Sequence, residues 1–146
     1  MTEATQRRHE HEVLQEHVQH IRLAAREIPA LSPEERTAVV TRIVDFLHGT
    51  LLPHTQEEER TFYPTIARLL GHPQSTSTMA RDHEAIRAHL ADLQLAAAED
   101  DARLQELLYS LYALISVHFW KEEVEYLPLL DKHELAPYVY ELRLTG

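Results

Sequence analysis

Two copies of a His-x-x-x-Glu pattern are the part of this sequence best suited to chemistry. The first copy is His54 and Glu58, and the second is His118 and Glu122. Residues four positions apart lie one turn apart on the same face of an α-helix, so each pair can project together into a protein core. Imidazole and carboxylate groups together suit iron, manganese or zinc. The pattern therefore predicts a metal site between helices.

Two further histidines complete the set. His17 and His83 each follow an acidic residue, and each lies on a stripe of apolar residues at helical spacing. The chain thus resembles a weak duplication of a helix pair, in which each pair supplies one histidine and then His-x-x-x-Glu. Four imidazoles and two bridging carboxylates suit two metal ions. The predicted metal-binding residues are His17, His54, Glu58, His83, His118 and Glu122.

The alternative to a metal site is a buried polar network. A single histidine on an apolar stripe is usually a core residue with a satisfied hydrogen bond. A buried ionised glutamate is different. An unpaired carboxylate in a core costs on the order of 3 kcal/mol unless it becomes protonated and so neutral. Glu58 and Glu122 hold equivalent places in the repeat, each one turn from a histidine. This equivalence favours metal over a network without metal.

Other polar and aromatic residues have weaker indications. His20, at the edge of the first stripe, is an alternative or additional ligand. Tyr126 lies one turn beyond Glu122 and is expected in core packing, with a hydrogen bond at the site as the alternative. Tyr63 is interpreted as a packing residue, and Glu59 as a solvated charge. Histidines near helix ends or loops are expected in solvent: His9, His11, His48, His72 and His133.

The elements that must position these residues are helices. The sequence has 146 residues, only three of them glycine, and it is rich in strong helix formers, which predicts one all-α domain over residues 1–146. Ser32, Pro33 and Glu35 have the order of a helix start with a capping box. Short connections favour an antiparallel up-down-up-down four-helix bundle with a short C-terminal tail. The predicted helices span about residues 3–28, 33–63, 78–98 and 101–127.

Composition excludes several classes of function. A formal net charge of −10 argues against binding to nucleic-acid backbones, and no apolar run has the length of a membrane span. Cysteine is absent, which excludes disulfides, iron–sulfur clusters and thiolate zinc sites. The first residues lack a signal-peptide pattern, so we expect a cytoplasmic protein that binds neither membrane nor nucleic acid.

The set of histidines and glutamates resembles the haemerythrin-like HHE cation-binding domain, over nearly the whole chain, and the segment 52–64 is especially similar to its second-helix motif. The resemblance implies that the six residues hold two iron ions, with Glu58 and Glu122 and an oxo or hydroxo group as bridges. Oxygen carriers of the family have a fifth histidine where this chain has Arg87. The four-His, two-Glu set is more similar to bacterial haemerythrin-like proteins.

Three functions are compatible with this set. The first is a non-haem di-iron protein that binds O₂ or nitric oxide for sensing, buffering or storage. The second is a redox enzyme with the same centre, with peroxidase- or catalase-like, nitric-oxide-reducing or ferroxidase activity. The third is an interaction module whose site holds zinc or stays empty. No residue outside the metal set is predicted to be catalytic, and no protein partner is indicated.

Overall fold

A computed structural model describes residues 1–145, and every regular element in this range is helical. The first helix, α1, spans Glu3–Glu27 and ends in a 3₁₀ turn at Ile28–Ala30. Helix α2 runs over residues 33–70, α3 spans Ser77–Leu95, and α4 runs over residues 101–144. The all-α four-helix bundle predicted from the sequence is confirmed.

The start and the end of α2 follow from local chemistry. Glu35 donates its backbone N–H to the Ser32 hydroxyl at 3.2 Å, and the Glu35 carboxylate accepts the Ser32 N–H at 2.8 Å. This is the predicted capping box. At the other end Gly71 takes a φ of 81°, a left-handed conformation that favours glycine, and the helix stops there.

Pro64 and Pro128, which lie just beyond two predicted helix ends, do not end those helices. Three five-residue π turns interrupt the α geometry at Leu47–Leu51, Glu58–Phe62 and Glu122–Tyr126. Each turn is followed at the second position by a proline, namely Pro53, Pro64 or Pro128. A proline lacks the N–H of the regular helical bond and crowds the preceding turn, and the wider π turn accommodates it.

Two predicted helix boundaries are corrected as a result. Helix α2 does not end near Pro64 but continues to Leu70, and α4 does not end near Pro128 but continues to Leu144. The predicted C-terminal tail is therefore largely helical, with Pro137 inside the helix. The six other predicted helix boundaries agree with the structure to within about three residues.

Helix α4 packs against both α1 and α3, and α2 closes the bundle by contacts with the same two helices. The buried side chains form two apolar clusters. The larger includes Phe119, and the smaller includes Phe62 and Tyr63. None of the helices within residues 1–145 combines the length and apolar character needed to cross a bilayer.

Candidate metal centre

Glu58 and Glu122 lie at the middle of a buried polar cluster in the bundle. Both residues have 0% exposure. None of their four carboxylate oxygens accepts a hydrogen bond from the described part of the chain. Such orphaned oxygens are costly in a core, because burial removes water without replacing its hydrogen bonds. The two glutamates are therefore poorly explained as packing residues.

His83 and His118 form one half of the cluster. Their Nε2 atoms are 2.9 Å apart. Nε2 of His83 lies 3.4 Å from Oε1 of Glu58, and Nε2 of His118 lies 3.1 Å from Oε1 of Glu122. The two imidazoles and the two carboxylates thus direct their ligand atoms into the same small volume.

His11 and His54 form the other half. Nε2 of His11 lies 3.7 Å from Oε1 of Glu122, and Nε2 of His54 lies 3.5 Å from Oε1 of Glu58. The His11 ring stacks on Phe119 of the larger apolar cluster, with ring centroids 4.4 Å apart. Each half therefore has two imidazoles, and the two glutamates lie between the halves.

Every imidazole in the cluster turns its second nitrogen, Nδ1, toward a carboxylate in an outer layer. The four pairs are His83–Glu59 at 2.7 Å, His118–Asp82 at 2.9 Å, His11–Glu123 at 3.5 Å and His54–Glu10 at 3.8 Å. A carboxylate at Nδ1 orients the ring and leaves Nε2 available to a metal. The first two contacts are hydrogen bonds, so the half with His83 and His118 is held more tightly.

The prediction for the first helix is corrected here. His17 is exposed, stacks on Phe46 and lies outside the cluster, while His11, which was expected in solvent, is 1% exposed within it. The buried face of α1 repeats every seven residues, as in Ala4, His11, Val18 and Ala25. Following this seven-residue repeat toward the N-terminus identifies His11 as a buried position. His20 contacts His17 and likewise lies in solvent.

The structure brings together the other predicted residues, which are His54, Glu58, His83, His118 and Glu122. Glu59 is also part of the site rather than an isolated solvated charge, because it contacts His83. Two compact groups of possible metal ligands result, which are His11, His54 and Glu58, and then Glu58, His83 and His118. Glu58 is common to both groups.

Tyr63 is a further residue of the site that was interpreted as a packing residue from the sequence. Its hydroxyl lies 3.1 Å from Nε2 of His83 and 3.0 Å from Nε2 of His118. Tyr126, the tyrosine considered for this role, packs against Phe62 and Tyr63 and makes no hydrogen bond with its hydroxyl among the described residues. Tyr63 reaches the two histidines because a π turn begins at Glu58. This turn places the fifth residue, not the fourth, one turn beyond the glutamate.

The pKa values of the two central glutamates shift in opposite directions. Burial, followed by the adjacent Glu58 carboxylate, raises the pKa of Glu122 well above its ordinary value. Burial acts on Glu58 in the same direction, but its contacts with Glu122 and with the surrounding histidines outweigh burial and hold the pKa of Glu58 well below its ordinary value. Of the two carboxylates, Glu122 therefore holds a proton more readily than Glu58.

The pKa values of two histidines, His118 and His11, also shift in opposite directions. Burial disfavours the charged form of His118, but contacts with Asp82, Glu122 and Glu58 outweigh it and raise the pKa of His118 to about 11. Burial lowers the pKa of His11 to about 4, and the nearby Glu58 only partly opposes this. At neutral pH, without a metal, His118 is charged and His11 is neutral.

These features fit a metal site. Two ligands on adjacent positions of an ion with bonds of about 2.1 Å are separated by about 3 Å, and the Nε2 atoms of His83 and His118 are 2.9 Å apart. Nε2 of His54 and the oxygens of Glu58 and Glu122 have no hydrogen-bond partner among the described residues. A cation would satisfy all of these atoms at once.

Comparison with known proteins agrees with this geometry. The family model described as the Hemerythrin HHE cation binding domain matches residues 5–130. Comparisons with curated proteins and with solved structures gave no match. The matched range contains the whole cluster from His11 to Glu122, together with the outer carboxylates that orient it. The chain belongs to the hemerythrin HHE cation-binding domain family.

Proposed function

We propose that this chain holds two iron ions in the cluster and binds O₂ or nitric oxide there, for sensing, buffering or storage. The observation that carries the proposal is a set of four imidazoles, three of them buried, around two buried carboxylates that accept no hydrogen bonds from the described residues. His83 and His118 would hold one ion, and His11 and His54 the other. Glu58 and Glu122 would bridge them, with an oxo or hydroxo group.

Iron is favoured by the chemistry of the donors. Imidazole and carboxylate suit iron, whereas the described residues supply no sulfur donor to the cluster. When bound, two redox-active ions with an open position supply reversible binding of a diatomic molecule. Two aromatic rings cover the polar cluster. Phe119, from the larger apolar cluster, stacks on His11, and Tyr63, from the smaller one, stacks on His83. Such surroundings admit a small apolar gas and exclude most water.

The chain's own polar groups shape the two halves differently. Asp82 accepts from Nδ1 of His118 and is itself 2.6 Å from Nζ of Lys121, while Glu59, which accepts from His83, faces Arg87 at 3.5 Å. These cations offset the outer charge in this half. Arg87 therefore acts on the outer layer and does not occupy the position of a ligand.

The other half opens toward solvent. His54 lines a cavity of about 380 Å³ together with Glu10, Glu57 and Arg7. Glu10 is partly exposed and lies 3.8 Å from Nδ1 of His54. We infer that a metal ion enters the centre on this side, because the Glu10 carboxylate, which forms no salt bridge with Arg7, attracts cations and His54 connects it to Glu58.

A redox enzyme is the second candidate, and Tyr63 favours it. Burial, with Glu122 and Glu58 nearby, raises the pKa of Tyr63 far above its ordinary value, so the hydroxyl keeps its proton. A protonated hydroxyl within 3.1 Å of both His83 and His118 can donate a hydrogen bond to a small ligand such as peroxide or nitric oxide. Oxidation of ferrous iron would use the same centre.

Anaerobic reconstitution with ferrous iron tests the proposal. Metal analysis should give two irons per chain, and absorption bands in the near ultraviolet should form on exposure to O₂ or nitric oxide. Bands that reverse when the gas is removed support binding, and irreversible oxidation with loss of added peroxide supports the enzyme. Less than one iron per chain, with no difference between the wild type and His54→Ala, would refute a di-iron centre.

A further inference from the structure

A second cavity, of about 690 Å³, lies outside the metal cluster, between the end of α2 and the start of α3. Its wall includes apolar surface from Pro64, Ala67 and Ala80. Tyr63 and Glu59 also line it, and both contact His83. The volume lies within the usual range of sites for small organic molecules.

The polar part of the wall favours an anion. Arg68 contributes a guanidinium whose hydrogen bond among the described residues is to the Thr65 hydroxyl, at 3.2 Å. His72 accepts the Gln74 N–H through Nδ1 at 3.0 Å, which leaves Nε2 as a donor. The N-terminus of α3, a helix of 19 residues, adds its partial positive charge at Thr76 and Ser77.

Thr76 is the observation that points to a ligand. This residue is the N-cap of α3, is 7% exposed and lines the cavity. Its hydroxyl makes no capping hydrogen bond, and no other partner for it exists within residues 1–145. N-cap hydroxyls ordinarily accept from the first turn of the helix. A hydroxyl without a partner, on a largely buried residue that lines the same cavity as the Arg68 guanidinium, is therefore suited to donate to an anion.

One acidic group lines the same cavity. Glu59 accepts a hydrogen bond from Nδ1 of His83 at 2.7 Å and lies 3.5 Å from Arg87, so its negative charge is offset by groups outside the cavity. Arg68 has no carboxylate within salt-bridge distance among the described residues. The unbalanced charge on the cavity wall is therefore positive.

We propose that this cavity is a binding site for a small organic carboxylate. The carboxylate would accept from Arg68, Thr76 and Nε2 of His72, and its apolar body would pack against Pro64 and Ala67. Because Tyr63 is shared with the metal cluster, the bound molecule would lie beside that centre. The site itself does not depend on which metal, if any, the cluster holds.

Calorimetric titration of the full-length protein with benzoate tests the proposal, with benzyl alcohol as a neutral molecule of similar shape. Benzoate should bind saturably with a stoichiometry of one and at least about tenfold more tightly than the alcohol, since a charge-assisted hydrogen bond contributes at least one factor of ten. Arg68→Gln and Thr76→Val should each weaken benzoate binding about tenfold. Thr76→Val removes no capping bond, so α3 should remain intact.

Arg81→Gln is the matched control, because Arg81 lies on α3 but pairs with Glu84 outside the cavity. This variant should bind benzoate as the wild type does. Circular dichroism checks that each variant keeps its helical content, and His72→Gln replaces any variant that does not. Equal affinity for benzoate and benzyl alcohol, or benzoate binding that neither Arg68→Gln nor Thr76→Val weakens, would overturn the proposal.

Discussion

The backbone N–H of Tyr63 donates to the carbonyl oxygen of Glu58, five residues earlier, and the Tyr63 side chain thereby reaches the imidazoles opposite that glutamate. In regular α geometry the fourth residue after Glu58 would occupy this position. The equivalent turn after Glu122 places Leu127 there. The two repeats therefore give the centre a single hydroxyl, on the side of His83 and His118.

Tyr63→Phe removes that hydroxyl while keeping the ring. We expect the iron content to stay at two per chain, because Tyr63 is not one of the proposed ligands. A neutral hydrogen bond contributes about 1 kcal/mol, so the dissociation rate of nitric oxide, followed by stopped-flow absorption, should rise roughly fivefold. Tyr126→Phe is the control and should leave that rate unchanged. Equal rates in Tyr63→Phe and the wild type would exclude a direct role for the hydroxyl.

His11→Ala and His17→Ala distinguish the two candidates on α1. His11 is buried beside Glu122, and His17 is exposed beside Phe46. The iron content of His11→Ala should fall from two per chain toward one, because one proposed position loses an imidazole. His17→Ala should keep two. Metal analysis after reconstitution decides between them, and loss of iron in His17→Ala alone would restore the original sequence prediction.

Asp82→Asn tests the outer layer of carboxylates. Asp82 is hydrogen-bonded to His118 and contacts Lys121. Loss of such a partner commonly lowers metal affinity by a factor of about 10 to 100, and competition with a chelator measures this. Glu84→Gln, an exposed change two residues away, should have no effect. Glu10→Gln should have a smaller effect on affinity than Asp82→Asn, because Glu10 lies 3.8 Å from His54.

Removal of the metal should expose a dependence of stability on pH. The pKa of His11 is about 4 in the folded protein, against an ordinary value of 6.5. Between these pH values the unfolded chain binds more protons at this residue, so stability falls as pH decreases from 6.5 to 4, by on the order of 3 kcal/mol. Urea unfolding of the chelator-treated protein, compared with His11→Gln, measures this loss. A parallel pH profile in both proteins would contradict it.

Protonation of His118 should have the opposite effect on the free energy of unfolding. Its folded pKa of about 11 exceeds its ordinary value of 6.5, so its contribution to stability is complete below pH 6.5 and is lost as pH rises toward 11. His118→Gln should remove this alkaline loss in the metal-free protein. Binding of metal at pH 7 should also release the His118 proton, which calorimetry in buffers of different ionisation enthalpy detects.

Much of the fold followed from the sequence, because helical periodicity and capping are local properties. The capping box at Ser32 and Glu35 and the end of α1 near residue 28 were predicted and are confirmed. The ends of α2 and α4 were predicted wrongly at Pro64 and Pro128. A proline removes one hydrogen bond whatever its context, but whether a helix stops or widens there depends on the packing of the next turn against its neighbours.

The sequence by itself determined the chemistry of the centre. The paired His-x-x-x-Glu patterns place an imidazole and a carboxylate one turn apart in any α-helix, so His54 with Glu58 and His118 with Glu122 needed only helical geometry. The match to the hemerythrin family agrees with that chemistry. His83 followed from the apolar stripe of its own helix.

Only the tertiary structure decided which histidine of α1 and which tyrosine join the cluster. His11 and His17 are both near the apolar face of α1, and the height at which α1 packs against α4 brings His11 level with Glu122. Tyr63 reaches the cluster because a π turn rotates the chain after Glu58. Helix register and local widening are set by contacts between helices, which no single helix encodes alone.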